Sequence, residues 1–508
     1  MGGIMASGSL NRGLIAAVVM SAALMEALDT TIANVALPHI RGSVSASQDE
    51  IVWVLTFYIV AAGITMPLTS WLSARFGTRR VLLLSVGGFT IASALCGLAQ
   101  TLAEITAFRF LQGAAGAALI PLGQSLLLEV NPPAKQGQAL AAYSTVLMLG
   151  PIMGPVLGGF FTDNYSWRWC FYINVPVGIV TFIGAWMFLP KTQAGHPPKF
   201  DVLGFSTIAI AVSALQLMCD RGETNDWFGS AETWIEAIVA GLSFYFFVVH
   251  TLTHRHPLFS RALFRHATFN LSLVATVVAM AVAYASLALS PTMLQGVYGY
   301  PVFSTGLLLA PQGVGLLLMT AVTGRLIGRV DLRVLLGAGF VSLALAYWMM
   351  SSFAPTMDSG PVIAASFVQG LALSLIWTPI TAIAFGALPA ALQGQGATLW
   401  NVVRFSAGSA GISLMQALLT NNVQVAHSTI TAHMSLDSPL VRRALQSGID
   451  LGLSPDTANA LNGVINRQAS VIAYLDDFKL LSIGTLAMIP LLLFMRRPSG
   501  EPAAVVVE

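Results

Sequence analysis

Stretches of about 20 apolar residues, long enough at ~1.5 Å per residue to cross the hydrocarbon core of a bilayer, recur along the whole chain and dictate its fold class. They predict helices over 14–37, 52–72, 81–99, 103–129, 139–160, 170–189, 202–219, 233–250, 269–290, 304–324, 334–353, 361–387, 397–420 and 478–495. Lipid offers the backbone no hydrogen-bond partners, so such segments cross as helices that satisfy their own N–H and C=O groups. The expected fold is therefore an all-α integral membrane protein of fourteen transmembrane helices. Charge content agrees: 9% of the 508 residues are charged, against roughly 25% in soluble domains. A net charge of +2 spread over short loops gives no footprint for a nucleic-acid partner. The first run holds Glu26 and Asp29, which makes it too long and too acidic for a cleaved signal peptide. It reads as a retained helix.

An even number of crossings puts both termini on one side. With that side cytoplasmic, the inner loops hold Arg75, Arg79, Arg80, Lys135, Lys191, Lys199, Arg255, Arg261, Arg265, Arg325, Arg329, Arg333, Arg496 and Arg497, and the short outer loops hold far fewer. This asymmetry is the positive-inside signature, and the expected orientation has both termini in the cytoplasm. The one long loop, 421–477, faces outside in this topology. Its segments 439–451 and 455–475 repeat apolar residues at helical spacing, which suggests short amphipathic helices over the pore mouth or against a partner.

A shift of 257 positions superposes Phe110, Gln112 and Gly113 on Phe367, Gln369 and Gly370, and Gln136, Gly137 and Gln138 on Gln393, Gly394 and Gln395. A shift of 254 matches Ser70, Leu72 and Arg75 to Gly324, Leu326 and Arg329. Helix 1 then pairs with 9 and helix 6 with 14, leaving helices 7 and 8 unpaired. The expected division is a cytoplasmic N-terminus (1–13), a six-helix half (14–190), a two-helix insertion (201–250), a second six-helix half (269–495) that includes the outer loop, and a cytoplasmic tail (496–508). Parallel repeats of this kind enclose a site near the bilayer midplane.

Ionisable residues inside the membrane need a partner or a task. Glu26 and Asp29, three apart, share one face of helix 1. Asp29 and Arg109 lie about eight and six residues from the outer ends of their helices, so at ~1.5 Å per residue their depths agree within roughly 3 Å. They form either a structural ion pair or a proton-coupling site in which protonation of Asp29 releases Arg109. The repeat places Ser286 and Ser366 at the equivalent positions, so such coupling is one-sided. Arg404 either attracts an anionic group or extends to the headgroups. Asn34, Gln112 and Gln124 are candidate polar contacts for cargo in an otherwise apolar cavity wall. On helix 5, Gly150, Pro151, Gly154, Pro155, Gly158 and Gly159 present a small-residue face, suited to close packing or to a pivot.

Cys96, Cys170 and Cys219 stand singly and suggest neither disulfides nor a metal site. His250, His254 and His256 read as interfacial histidines, with a metal cluster as the alternative. The sequence holds no Walker A loop, HExxH or nucleophile elbow. The expectation is a transporter rather than an enzyme, without cofactor or metal, using protons as the coupling ion.

The segment Leu28-Asp29-Thr30-Thr31-Ile32-Ala33-Asn34-Val35-Ala36-Leu37-Pro38 resembles the first-helix motif of fourteen-helix drug:proton antiporters of the major facilitator superfamily. Arg109-Phe110-Leu111-Gln112-Gly113, the Gly150–Gly159 face and Asn174-Val175-Pro176-Val177-Gly178 resemble further motifs of that family. So does the loop with Arg75, Gly77, Arg79 and Arg80, which departs from the pattern at Ser70 and Ala74, where a glycine and an acid are usual. The likeness covers nearly the whole chain and is greatest to EmrB-type pumps, through residues 120–128, Pro132-Pro133-Ala134-Lys135 and Asp220-Arg221-Gly222 with Asp226-Trp227-Phe228. Glu26 departs from that type, which has an uncharged residue there. The resemblance implies proton-driven efflux of hydrophobic and amphipathic toxins, together with a periplasmic membrane-fusion adaptor and an outer-membrane channel. The alternatives are a proton-coupled importer of a small organic solute, or a membrane-embedded receptor or enzyme.

Overall fold

The structure, a computed structural model, describes residues 12–433 and 455–494 except 47, 52, 191–199, 223, 224, 256, 328, 355 and 356. No strand occurs among the described residues. The long helical spans of the first half are α1 (Arg12–Val44), α2 (Trp53–Phe76), α3 (Thr78–Leu98), α4 (Leu102–Val130), α5 (Pro133–Asn164) and α6 (Trp169–Phe188). Then come α7 (Val202–Arg221) and α8 (Ala231–Thr253). The rest are α9 (Ala267–Gly296), α10 (Phe303–Leu326), α11 (Leu332–Met350), α12 (Ser359–Gly386), α13 (Ala390–Ala432) and α14 (Pro455–Leu486). Among the described residues twelve helices are long and apolar enough to cross a membrane. The other two long helices stand in the same bundle, α5 against α1, and α14 against α11 and α13.

Local chemistry sets several boundaries. Thr101 accepts a hydrogen bond from the Glu104 N–H (3.2 Å) while Glu104 Oε2 accepts from the Gln100 N–H (2.8 Å), a reciprocal cap on α4. Asp331 and Ser230 cap α11 and α8 one way, accepting from the Arg333 and Glu232 N–H groups. Within α4 the helix loosens at Ala117 and Ala118, because the Pro121 ring displaces the carbonyl four residues earlier. Gly77, at φ 87°, makes the turn between α2 and α3 that a side chain would strain.

Two halves can be followed through their contacts. Gln112 Nε2 donates to Asp29 Oδ1 (2.8 Å), and Gln369 Nε2 donates to Ser286 Oγ (2.9 Å), the same contact one repeat apart. Gly113 abuts the Tyr58 carbonyl and Gly370 the Gln312 carbonyl, so each glycine admits a neighbouring backbone where a Cβ would collide. The helix pair α7–α8 sits at one seam between the halves. Val212 packs on Gly63 of α2, and Gln216 hydrogen-bonds Ser409 of α13. Only 17% of the α8 span is buried, so this helix is a peripheral one with its apolar surface turned to lipid.

Asp201 starts α7, accepting from the Gly204 N–H (2.9 Å) and from the Leu258 N–H (3.0 Å), and its Oδ1 lies 2.8 Å from His250 Nε2. His254 stacks on His250, with ring centroids 4.6 Å apart. Asp201, His250 and His254 thus bring potential metal ligands within 4.8 Å of one another. The hydrogen bonds already made by both Asp201 oxygens account for the cluster as a cap that ties the insertion to the chain following it. His256 lies outside the described residues.

The outer loop differs from expectation. Residues 421–432 continue α13, and 455–477 belong to α14 rather than to short helices over a pore mouth. The 43 residues of α13 span about 65 Å at ~1.5 Å per residue, well beyond a hydrocarbon core of ~30 Å. The two helices stay paired through Asn422 to Asp477 (2.8 Å) and His427 to Asn462 (3.0 Å). The expected helix at 439–451 lies outside the described residues.

Candidate functional site

The buried centre of the first half is built around Asp29 and Arg109, 0% and 1% exposed, whose carboxylate and guanidinium meet at 2.5 Å. Every oxygen of Asp29 is used: Oδ2 accepts from Arg109 Nη1, and Oδ1 accepts from Gln112 and from Asn174, each at 2.8 Å. Asn174 also donates to Ser93 (3.0 Å), which binds the Phe171 carbonyl. Arg109 donates further to the Val54 carbonyl (3.1 Å) and to Gln112 Oε1 (2.9 Å), and its guanidinium lies over the Tyr58 ring at 4.1 Å. A charge pair buried to this depth is tolerable only with such complete hydrogen bonding. α1, α2, α3, α4 and α6 all converge on it.

Glycines carry this centre to the seam between the halves. A Cβ on Gly150 would fall 2.5 Å from the Ala27 Cβ, between Glu26 and Asp29 in sequence. One on Gly154 would strike Thr31, whose hydroxyl donates to the Gly150 carbonyl at 3.3 Å. Gly158 and Gly159 are buried as well; the side chains of Pro151 and Pro155 lie outside the described residues. On its other side α5 meets the second half, where Thr145 hydrogen-bonds Thr320 (2.8 Å) and Val156 packs on Gly306.

A cavity opens between the halves, lined from the first by Gln124, Tyr143 and Leu147 and from the second by Trp377, Asn401 and Arg404. Asn401 donates to Gln124 Oε1 across it (2.8 Å). Glu26 stands behind this wall, 3% exposed. Of the residues singled out from sequence, Asp29, Arg109 and Gln112 form one network, and Gln124 and Arg404 line the cavity. Gln112 belongs to the ion-pair network rather than the cavity wall, and Asn34 is exposed and lines neither. Arg75 and Arg80 are exposed beside Gly77, while Arg79 donates to the Trp186 carbonyl of α6. Asn174 and Tyr58 are members of the centre that site selection by charge passed over.

Residues 19–412 match the family model of the Major Facilitator Superfamily. The chain is 36% identical over 483 residues to the multidrug export protein EmrB of Haemophilus influenzae, and 34% identical over 482 residues to that of Escherichia coli. Each match covers 94% of both chains. It is also 33% identical to the fatty acid resistance protein FarB of Neisseria gonorrhoeae, again over 94% of both. Among solved structures, the human organic anion transporter MFSD10 has the same fold, at TM-score 0.60 and 12% identity over 94% of this chain and 99% of that one. The proton:xylose symporter XylE has it too, at TM-score 0.57 and 13% identity over 96% of both. A buried charge centre in one repeat, a cavity between two repeats and these matches lead to one conclusion: the chain is a multi-pass membrane protein of the Major Facilitator Superfamily, of the EmrB type.

Proposed function

We propose that the protein exports hydrophobic and amphipathic drugs and toxins across the bacterial inner membrane by exchange with protons, with both termini in the cytoplasm. In this reading the division into 6+2+6 helices holds, and the carrier works with a periplasmic membrane-fusion adaptor and an outer-membrane channel. The multidrug export and fatty acid resistance proteins that it resembles support the cargo class. The observation that carries the coupling is the fully buried Asp29–Arg109 pair, joined by α1 and α5 to a cavity at the inter-half seam.

A proton reaching Asp29 Oδ2 from outside cancels the carboxylate charge. Arg109 then keeps the Val54 carbonyl, Gln112 Oε1 and the Tyr58 face, but loses its counter-ion. The α1–α4 contact weakens. Because Gly150 and Gly154 seat α5 directly on α1, the shift passes to the surface that meets α10 across the seam. Release of the proton to the cytoplasm restores the pair and resets the carrier, each net charge moved drawing about 2.3 kcal/mol per 100 mV of membrane potential.

The test uses purified protein in inverted liposomes with an imposed pH gradient, acid inside. Uphill accumulation of a lipophilic dye is expected, and Asp29→Asn removes it while leaving dye binding intact. Normal pumping by Asp29→Asn refutes the coupling role. Dye movement in the opposite direction favours the importer.

A further inference from the structure

The cap that Asp201 makes at the start of α7 accounts for only one of the two histidines beside it. His250 Nε2 donates to Asp201 Oδ1 (2.8 Å). His254 adds nothing to that cap: its ring stacks on His250, and neither of its nitrogens has a hydrogen bond among the described residues. One ligand atom from each of Asp201, His250 and His254 nevertheless lies within 4.8 Å of the other two. Around a tetrahedral ion with bonds of about 2.0–2.2 Å, ligand atoms stand roughly 3.4 Å apart. The set reaches that spacing by a small rotation of His254, the exposed member, at the C-cap of α8.

The carboxylate is already oriented for such a role. The Gly204 and Leu258 N–H groups each hold one Asp201 oxygen (2.9 and 3.0 Å), the kind of support that fixes a metal-binding carboxylate. The roughly four lone-pair sites of a carboxylate leave room for an ion where His250 now donates. With its proton on Nδ1 instead, neutral His250 turns Nε2 into a ligand beside Asp201 Oδ1. Arg261 directs its charge to the backbone, donating to the Thr251 (3.1 Å) and His254 (2.6 Å) carbonyls, and so steadies the end of α8 without occupying a ligand atom. Two imidazole nitrogens and one carboxylate oxygen suit a zinc-type ion rather than magnesium or calcium, which take oxygen ligands.

The cluster also sits on a link between the halves. Phe200, next to Asp201, packs on Trp71 of α2 with ring centroids 4.8 Å apart. Beyond His254 the chain reaches Ser260, whose N–H donates to Gln395 Oε1 at the start of α13 (2.9 Å). We propose that Asp201, His250 and His254 bind one zinc-type divalent ion, and that the bound ion stiffens this link and slows the rocking of one half against the other. None of the three belongs to the Asp29 network or lines the inter-half cavity. Binding stands apart from the export reading, and only the effect on transport rate rests on it.

The full-length protein, purified in detergent without a histidine tag and stripped with EDTA, is titrated with zinc and separately with cobalt(II), whose visible absorption reports its ligands. One ion per chain at micromolar affinity is expected, with magnesium failing to compete. His254→Ala lowers zinc affinity at least about tenfold, roughly 1.4 kcal/mol, and leaves thermal unfolding and zinc-free dye transport unchanged. His254→Cys, which supplies a different ligand atom at the same place, retains the ion and adds a cobalt–thiolate absorption. Absence of saturable cobalt absorption, or zinc affinity unchanged in His254→Ala, overturns the site. In inverted liposomes, which turn this face outward, micromolar zinc is expected to slow dye transport severalfold in the parent but not in His254→Ala, and EDTA reverses the effect. Zinc that binds without slowing transport overturns the link. Dye transport without zinc and its loss in Asp29→Asn are measured separately, so failure here leaves the export reading standing.

Discussion

Asp29 and Arg109 are each tolerable in the bundle interior only because the other is present, and this makes their energetics strongly non-additive. Arg109→Ala leaves a carboxylate with two amide donors and no cation, a change that for buried pairs costs about 3–5 kcal/mol. The double variant Asp29→Asn, Arg109→Gln leaves no charge behind and is expected to recover most of that loss. Thermal unfolding in detergent checks it, and equal destabilisation of single and double variants rules out mutual dependence. The pair was legible in the sequence because depth along two helices is simple arithmetic. Its other partners were not. Asn174 and Tyr58 reach Asp29 and Arg109 only because α6 and α2 flank α1 and α4, an adjacency that spacing within one helix does not contain. Asn34 is exposed on α1 and belongs to neither the ion-pair network nor the cavity wall.

At the scale of elements, α1 and α5 form the contact through which, in the proposed exchange, protonation of Asp29 is transmitted to the cavity. Gly150 leaves no room for a side chain against Ala27, so Gly150→Val forces the two backbones apart. The expected result is proton-driven dye transport reduced by more than about tenfold, with a loss of stability of about 1–3 kcal/mol. Transport kinetics alongside thermal unfolding separates the two, and unchanged transport excludes α5 as the transmitting element. The glycine face was plain in the sequence, but not which helix it met. The reverse error arose at α13 and α14. Asn421, Asn422 and Gln424 end the hydropathy signal, yet the helix continues because its partner α14 supplies packing and hydrogen bonds where lipid no longer does. Apolar content reports the solvent, not the secondary structure. Asp477 was placed in a loop on that account, though it is fully buried and bound to Asn422.

Across the whole molecule the two repeats share a scaffold and differ in charge. The second half reproduces the Gln112–Asp29 contact as Gln369–Ser286 and the Gly113–Tyr58 approach as Gly370–Gln312, while Ser286 and Ser366 stand where Asp29 and Arg109 would be. Superposable motifs made this symmetry visible before any coordinates, whereas the seat of α7 at the α2–α13 seam has no counterpart in either repeat to predict it from. If the scaffold serves packing and the charges serve coupling, the two halves respond differently to the same operation. Ser286→Ala with Gln369→Leu removes a buried hydrogen bond together with both its partners but leaves the buried Tyr347 hydroxyl, which bonds to both, with only the Val282 carbonyl (3.4 Å), a cost of about 1–3 kcal/mol. It is expected to leave the number of protons exchanged per dye unchanged. The matching pair Asp29→Ala with Gln112→Leu leaves Arg109 buried without a counter-ion and is expected to abolish proton exchange. Measuring the dye gradient that balances a fixed pH gradient in liposomes distinguishes the outcomes. A changed ratio in the second-half variant means that both repeats handle protons, and that the absence of charge at Ser286 and Ser366 is no guide to function.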